Sequence, residues 1–496
     1  MNYTMITDLY EFTMGEKNFQ DGTIHQKQYY DITFRNCPFG SGYVIAAGLD
    51  RVIEHVKNLT FEETDIAYLK SLNLFSEGFL DYLKEFHFTG DIYAVPDGTP
   101  VFPHEPLATV HAPAFEAKLL ESALLSYYNH GGLVATKARR IVETAGVPVM
   151  EFGLRRGLSP ESALYGSRYA HMAGCSGTSN TMDGLLFGIP AKGTTAHSSV
   201  MESQDEYTAF LDYAKALPNN CIFLVDTYDT LRSGIPNAIR VAKEFLIPNG
   251  YEFKGIRIDS GDLAYLSKEA RKMLDEAGFP NATICLSNGL EETAIINLKE
   301  QGAVFDSLGV GDNIIQPLDR LGCIYKLAAQ EEGDRIVLKM KHSNQLAKAT
   351  LPGVKKVYRF YDTETGYALG DVIALKGEEI SKKQYTFVDH LAPWKQKTVK
   401  NYELKALQVP IFKQGTLVYQ SPTLEQSRNY CEEEMSRLYP EVRRICNPAS
   451  YIADLSEELR ILRDRLLYQN QMHCAEITAT YEKQYVKERK GVSHEN

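Results

Sequence analysis

The stretch GIRIDSGDL, residues 255–263, joins the end of a short apolar run to the start of a helical pattern. It places one arginine and two aspartates at the end of a predicted strand. An earlier stretch, CIFLVDTYD at residues 221–229, also ends in two aspartates three positions apart. Ligands of parallel α/β sheets bind at the carboxyl ends of the strands. The two stretches therefore predict a site for a metal ion and a polyanion.

The composition limits the class of protein. A chain of 496 residues with 53 basic and 64 acidic side chains has a formal net charge of −11. This charge disfavours nucleic acid and membrane surfaces as partners, since both attract basic proteins. Eight cysteines without a C-x-x-C pair predict reduced thiols. No signal peptide and no membrane-spanning run is found, so we expect a cytoplasmic protein.

The pattern of apolar and polar residues in the middle of the chain differs from that at its ends. Between residues 131 and 319, apolar strands alternate with helices, which predicts parallel βαβ units. Polar or glycine-rich turns follow at least five of these strands, which favours an irregular TIM-like α/β barrel over an open doubly wound sheet. Residues 1–130 and 320–395 are predicted to form one discontinuous mixed α/β domain. Residues 396–496 are predicted to be a C-terminal extension.

The four aspartates have two possible roles. Each could simply cap the helix that follows it, because Asp is favoured at helix N-termini. All four acting only as caps is less expected, since Arg257 adds a cation beside them. Mg²⁺ prefers a few carboxylates together with substrate phosphate oxygens. The pattern therefore predicts a magnesium-bound diphosphate.

Three further features suit a phosphorylated and aromatic ligand. The glycine turns at 287–289 and 309–311 could bring backbone N–H groups to a phosphate, although turns need glycine anyway. His197 follows a predicted strand and has small hydroxylated neighbours, which leave room for a phosphoryl group. Its alternative role is an ordinary hydrogen-bonded loop histidine. Phe152 and Arg155 could stack on and pair with a flat anionic ring, although an aromatic residue is more often part of a core.

Together these motifs resemble the nicotinate phosphoribosyltransferase family. The resemblance covers nearly the whole chain and rests on TDLYEFTM at 7–14, FR at 34–35, PFG at 38–40, FGLRR at 152–156, GTSN at 177–180, GTTAHS at 193–198, DTYDT at 226–230 and RIDSGDL at 257–263. It implies a barrel beside a mixed α/β domain in a homodimer with a shared active site. It also implies conversion of nicotinate and phosphoribosyl pyrophosphate to nicotinate mononucleotide and pyrophosphate. ATP would be the co-substrate, hydrolysed through a phosphohistidine, and Mg²⁺ the cofactor.

The resemblance also implies roles for individual residues. His197 holds the phosphorylated position, and Arg257 with Ser179 holds the nicotinate carboxylate. The pyridine ring would contact Phe152 and the partner subunit's Tyr10. The ribose, pyrophosphate and magnesium would be bound by Arg155, Asp226, Asp259 and Asp262, with Asp226 and Asp259 as metal ligands. The 5′-phosphate would be bound by Asn288, Gly289, Gly309 and Gly311, and phosphates at the dimer interface by Arg35 and Lys326.

Other functions stay open at this point. Related nicotinamide enzymes carry an acid where Ser179 stands, so the serine favours nicotinate over its amide. A magnesium-dependent barrel lyase or epimerase would need a Lys or His base opposite the metal and would not use ATP. A non-catalytic metabolite-binding relative would lack His197 or one of the acids. Quinolinate phosphoribosyltransferase shares the barrel but is shorter and needs no ATP.

Overall fold

The structure, a computed structural model, describes residues 2–341, 349–389 and 392–469. Its strands are β1 (Lys27–Thr33), β2 (Val44–Ile45), β3 (Asp91–Ala94), β4 (Pro100–Val101), β5 (Ala108–Pro113), β6 (Val149–Glu151), β7 (Gly177–Thr178), β8 (Ile222–Leu224), β9 (Gly255–Ile258), β10 (Thr283–Ser287), β11 (Ser307–Val310), β12 (Ile324–Glu332), β13 (Arg335–Leu338), β14 (Lys355–Asp362), β15 (Ala368–Leu375), β16 (Gln384–Val388), β17 (Gln396–Lys400), β18 (Tyr402–Ala406), β19 (Val409–Lys413), β20 (Thr416–Leu417) and β21 (Ala453–Leu455).

A helix follows each strand from β5 to β11. They are α1 (Leu9–Gln20), α2 (Leu49–Lys57), α3 (Glu63–Ser71), α4 (Glu77–Lys84), α5 (Ala114–Leu119), α6 (Glu121–Ala145), α7 (Pro160–Met172), α8 (Thr181–Phe187), α9 (His197–Met201), α10 (Glu206–Ala216), α11 (Ile235–Val241), α12 (Leu263–Glu276), α13 (Glu292–Glu300), α14 (Asp312–Ile315) and α15 (Leu424–Ser436), and residues 457–469 are also helical. Within the described residues, no helix is both long and apolar enough to cross a membrane.

A six-stranded parallel sheet carries the middle of the chain. Its order is β7-β6-β11-β10-β9-β8, and every neighbouring pair is parallel. The predicted βαβ units are therefore present. A single bridge from Thr178 to Ala191 continues the sheet beyond β7. The pairings found in residues 2–341 do not join this edge to β8, so a closed barrel is not shown.

The register of this sheet brings separate chain segments to one edge. Arg257 in β9 lies level with Leu224 in β8 and with Cys285 in β10. Further along, Val310 in β11 pairs with Glu151 in β6. The carboxyl ends of β6, β8, β9, β10 and β11 consequently meet at one edge, where the following turns lie close together.

An antiparallel sheet of seven strands packs the N-terminal part. Its order is β13-β12-β1-β5-β3-β19-β20, so β1 pairs with β12, and β3 pairs with β19 from the last hundred residues. Its core includes the fully buried Ile32, Phe34, Val110 and Phe115.

A smaller sheet, β18-β14-β15-β21, lies beside this one. The fully buried Arg359 of β14 binds Asp371 of β15 at 2.7 Å and the carbonyl oxygen of Pro100 at 2.8 Å. Because Pro100 belongs to the N-terminal region, this arginine ties the two parts together. The predicted domain boundaries stay a prediction. The continuous helix α6 crosses the boundary predicted at residue 130. Residues 470–496 of the predicted C-terminal extension lie outside the described part of the chain.

Candidate active site

Two adjoining cavities lie at the carboxyl edge of the parallel sheet. The first, here called the aromatic cavity, has a volume of about 390 Å³ and is lined by Phe152, Arg155, Ser179, Lys192, Gly193, Thr194, Thr195, Ala196, His197, Leu224, Arg257 and Asp259. The second, here called the glycine cavity, has a volume of about 180 Å³ and is lined by Phe152, Arg155, Arg156, Arg257, Asp259, Ser287, Asn288, Gly289, Gly309, Gly311 and Asp312. Four residues line both cavities, so two ligand groups bound there would lie side by side.

Arg257 stands at the shared wall of these cavities. Its Nε donates to Ser287 Oγ at 2.9 Å, and its Nη2 donates to Asp259 Oδ1 at 3.1 Å. The guanidinium carbon is 5.4 Å from the centre of the Phe152 ring, a distance at which a cation is attracted to an aromatic face. The side chain is 14% exposed. A partly buried, oriented cation beside an aromatic ring can recognise a flat anion.

The four aspartates divide between the site and the helices. Asp229 accepts from Arg232 N at 2.9 Å, and Asp262 accepts from Tyr265 N at 3.0 Å, so both cap helical turns. Asp226 instead accepts the Asp259 N–H at 3.1 Å and the Ser260 hydroxyl through Oδ2. In each pair, therefore, the first aspartate lies at the strand end, and the second aspartate caps the helical turn that follows.

The free carboxylate oxygens suit a hard cation. Asp226 Oδ1 is buried and has no hydrogen-bond partner among the described residues. Asp259 Oδ1 is held by Arg257 and Ser287, while its Oδ2 lies 4.0 Å from His197 Nε2. No group of three or more acidic, His or Cys side chains able to hold a metal occurs in residues 2–341, 349–389 and 392–469. Two carboxylates still fit Mg²⁺, which commonly takes its other ligands from water and phosphates.

His197 begins α9 and lines the aromatic cavity. Its Nδ1 lies 3.0 Å from Thr227 Oγ1, and its side chain is 39% exposed. With the proton on Nδ1 and donated to Thr227, Nε2 carries a lone pair toward the cavity. The hydroxyl oxygens of Thr194 and Thr195 are buried without a hydrogen-bond partner in the described chain. The arrangement offers a nucleophilic nitrogen with polar groups close by.

Glycine and left-handed residues shape the second cavity. Asn288 and Gly289 follow β10 with φ values of 98° and 60°, which turn the backbone sharply. Gly309 was predicted to lie in a turn, which is wrong, because β11 continues to Val310. A Cβ atom on Gly309 would lie 2.6 Å from Phe152 Cδ2, so this glycine makes room for the aromatic ring. Gly311 follows the strand and precedes α14.

Several predicted residues are not part of these cavities. Tyr10 lies on α1 and is 46% exposed. Arg35 and Lys326 line a separate small cavity on the antiparallel sheet. Asp262 caps α12. Asp226 reaches the site through its bonds to Asp259 and Ser260 rather than by lining a cavity.

Hydroxyl groups beside the acids were missed by the sequence analysis. Thr227 holds His197, Ser260 holds Asp226, and Ser287 holds both Arg257 and Asp259. The signal available was a Thr or Ser directly after an aspartate at a strand end, in Asp226-Thr227 and Asp259-Ser260. Such positions are also common in caps, so the signal is weak without the tertiary structure.

The fold and the site together define an α/β enzyme that combines an arginine-lined aromatic cavity with an adjoining glycine-lined anion cavity. Three domain families match the chain: the nicotinate phosphoribosyltransferase N-terminal domain at residues 5–129, the nicotinate phosphoribosyltransferase family at 147–349, and the nicotinate phosphoribosyltransferase C-terminal domain at 354–463. The chain belongs to the nicotinate phosphoribosyltransferase family.

Similar proteins cover almost the full length of the chain. Nicotinate phosphoribosyltransferase of Bacillus subtilis is 45% identical, over 91% of this chain and 92% of its own. The enzyme of that name from Dictyostelium discoideum is 34% identical, over 92% and 86%. The crystal structure of human nicotinic acid phosphoribosyltransferase superposes with a TM-score of 0.81 at 29% identity, covering 93% of this chain and 99% of that one. The mixed α/β fold of the chain is thus the fold of this family.

Proposed function

We propose that the protein joins nicotinate to the ribosyl group of phosphoribosyl pyrophosphate, which yields nicotinate mononucleotide and pyrophosphate and begins NAD salvage from nicotinate. The observation that carries this proposal is the position of Arg257 and Phe152 at the wall between the two cavities. A flat acid in the aromatic cavity would meet the sugar phosphate in the glycine cavity. Membership in the family and the named relatives support the same activity.

The reacting groups are assigned as follows. Phe152 stacks on the pyridine ring, and Arg257 with Ser179 binds the carboxylate, so that the ring nitrogen points toward the sugar. The lone pair of that nitrogen forms the bond to C1 of ribose. The bond from C1 to the pyrophosphate oxygen breaks, and its electron pair leaves with pyrophosphate. Asp226 and Asp259 would face the ribose and the pyrophosphate.

Asp226 and Asp259 are the residues that would hold Mg²⁺. The buried, unpartnered Asp226 Oδ1 supports this assignment. When bound, the ion supplies positive charge to the pyrophosphate leaving group. Contacts to the phosphates would be added by Arg155 and by the backbone at Asn288, Gly289 and Gly311.

The requirement for the ion can be tested directly. Removal of divalent ions with EDTA should abolish turnover until Mg²⁺ is restored.

ATP would act through His197. Its Nε2 attacks the γ-phosphorus, the bond to the β-phosphate oxygen breaks, and ADP leaves. Water later cleaves the phosphorus–nitrogen bond and releases phosphate. The contact of Nδ1 with Thr227 and the unpartnered hydroxyls of Thr194 and Thr195 support a phosphorylated state of this ring. A phosphoryl group there would alter the affinity for the second substrate, which couples hydrolysis to binding.

A homodimer would complete the site. The segments that directly follow the Phe152 and Ser179 turns expose large apolar side chains: Leu158 is 80% exposed, Leu185 78% and Leu186 56%. A second copy of the chain would cover such a patch and supply Tyr10, Arg35 and Lys326 to its partner's cavities. Co-expression of Arg257→Ala and Tyr10→Ala chains should then restore the activity at low nicotinate concentration that each variant lacks alone, because one site of the mixed dimer is intact.

We infer that the parallel sheet, with its bridge at Ala191, belongs to an incomplete barrel whose axis lies beside the cavities. We also propose that the protein acts in the cytoplasm. The seven cysteines in the described residues all carry free thiols, which suits a reducing compartment.

One experiment decides between the candidate functions. Purified protein is supplied with phosphoribosyl pyrophosphate and Mg²⁺, with nicotinate or nicotinamide, and with or without ATP, and the nucleotide product is separated and quantified. We expect nicotinate mononucleotide and ATP stimulation. Faster turnover of nicotinamide would favour a nicotinamide-type enzyme. No nucleotide from either base would contradict the proposal and favour a magnesium-dependent lyase or epimerase.

A further inference from the structure

A buried carboxylate lies beneath the two turns that form the aromatic cavity. Glu151 is the last residue of β6 and has no exposed surface. Its Oε1 accepts the main-chain N–H of Gly153. Its Oε2 accepts the hydroxyls of Ser167 and Thr178, each at 2.7 Å. A fully buried acid is costly unless its oxygens are satisfied, and here three donors converge on it.

Two of these donors lead directly to the cavity wall. Gly153 follows Phe152, whose own N–H is held by the Val310 carbonyl at 2.7 Å. The backbone that carries the ring is therefore held by hydrogen bonds at Phe152 and at Gly153. A Cβ on Gly153 would lie 2.8 Å from Glu151 Oε1, so the turn closes tightly over the carboxylate.

The second link leads to the opposite wall. Thr178 precedes Ser179, and its hydroxyl also accepts the Asn180 N–H at 3.1 Å. The Ser179 N–H itself donates to the Glu151 carbonyl oxygen at 2.9 Å. Glu151 thus forms hydrogen bonds to both the turn after Phe152 and the turn at Ser179.

We propose that Glu151 is a positioning residue for the pyridine substrate: it sets the distance between the Phe152 ring and Ser179, and so determines the affinity for nicotinate. This inference rests on the proposed function. Glu151 lies under the aromatic cavity and lines neither cavity, so it acts through its neighbours rather than on the substrate. Phe152 and Arg155 also line the glycine cavity, but Ser179 does not, and most of that cavity comes from the ends of β9, β10 and β11. Binding of phosphoribosyl pyrophosphate should therefore depend less on Glu151 than binding of nicotinate does.

The third donor provides an internal control. Ser167 lies on α7, is 1% exposed and bonds the same carboxylate oxygen as Thr178. Its Oγ also lies 3.3 Å from Thr178 Oγ1, but its own neighbours in the chain, Gly166 and Arg168, line neither cavity. Thr178→Val and Ser167→Ala each remove one hydroxyl from Glu151. A purely structural role of Glu151 would make the two variants equivalent, whereas positioning of the cavity would not.

The test measures the KM for nicotinate and for phosphoribosyl pyrophosphate in these variants. Thr178→Val should raise the nicotinate KM about tenfold, the size expected for one lost buried hydrogen bond, with little change in the other KM. Thr178→Ser should restore it, and Ser167→Ala should lower the melting temperature alone. Glu151→Gln keeps the shape but has one acceptor oxygen, and it should also raise the nicotinate KM by about tenfold or more.

A matched control exists in the N-terminal region. Glu116 is 4% exposed and accepts the N–H and hydroxyl of Thr89, and neither residue lines the aromatic or the glycine cavity. Glu116→Gln should affect stability without changing either KM. Equal changes in Thr178→Val and Ser167→Ala, or equal changes in both KM values, would overturn the inference. If wild-type protein formed no nucleotide from nicotinate, the proposed function itself would fail.

Discussion

Replacement of Arg257 by alanine separates the two substrates most directly. Within the described residues, its hydrogen bonds use Nε and Nη2, which leaves the Nη1 group for a ligand. A hydrogen bond between charged groups contributes about 1.5–3 kcal/mol. At 14% exposure the contact is poorly screened by solvent. Arg257→Ala should therefore raise the nicotinate KM roughly 10- to 100-fold.

The effect on the second substrate should be smaller. Asp259 loses its bond from Arg257 in this variant but keeps the hydroxyl of Ser287. A partly exposed ion pair contributes about 0–1 kcal/mol, so the KM for phosphoribosyl pyrophosphate should rise at most about fivefold. The nicotinate KM of Arg257→Lys should lie between those of the wild type and of Arg257→Ala, because an ammonium keeps the charge of the guanidinium but not its planar, forked geometry.

Initial rates are measured with one substrate varied and the other saturating, and product is quantified as nicotinate mononucleotide. Arg271→Ala is a matched control: this arginine binds Asp275 and the carbonyl oxygens of Phe279 and Ala282 on the side of α12, so its loss should reduce stability and leave both KM values unchanged. An unchanged nicotinate KM in Arg257→Ala, or equal rises in both KM values, would refute the assignment of Arg257 to the carboxylate.

Three further predictions concern neighbouring groups. His197→Ala should keep the fold and some uncoupled turnover but lose ATP stimulation; ADP released in proportion to product would contradict the phosphohistidine. Ser179→Asp should weaken the binding of nicotinate, because two carboxylates repel each other. Equal nicotinate affinity in the wild type and in Ser179→Asp would refute the argument that Ser179 favours nicotinate over its amide. Burial raises the pKa of Asp183 to about 7, so the folded protein holds a proton that the unfolded chain, with a pKa of about 4, releases. This residue should therefore lower the free energy of unfolding as pH rises from about 4 to 7, and Asp183→Asn should make that decrease smaller in chemical denaturation.

The βαβ organisation of the middle of the chain could be predicted from local pattern alone. The alternation of apolar strands and helices predicted parallel βαβ units, and the parallel sheet has them. Ser159 and Pro160 at the start of α7 also follow local rules, since serine accepts the Ser162 N–H at 3.1 Å. Such features depend on neighbours in the chain, which the sequence displays directly.

The division of the aspartates could not be predicted in this way. Asp226 and Asp229 have the same residue type in nearly the same local setting, and so do Asp259 and Asp262. Which of them caps a helix and which meets the site depends on the register of β8 against β9. That register is decided by packing between strands distant in sequence.

By itself, the sequence determined the family, the class of fold and the identity of the chemical groups at the strand ends, because these follow from local pattern and from motifs in order. The tertiary structure alone decided which groups meet. It brought Ser287 to Arg257, Thr227 to His197 and Glu151 beneath both walls of the aromatic cavity. Hydrogen bonds between residues far apart in the chain leave no periodic signal, because they exist only once the sheet has set its register.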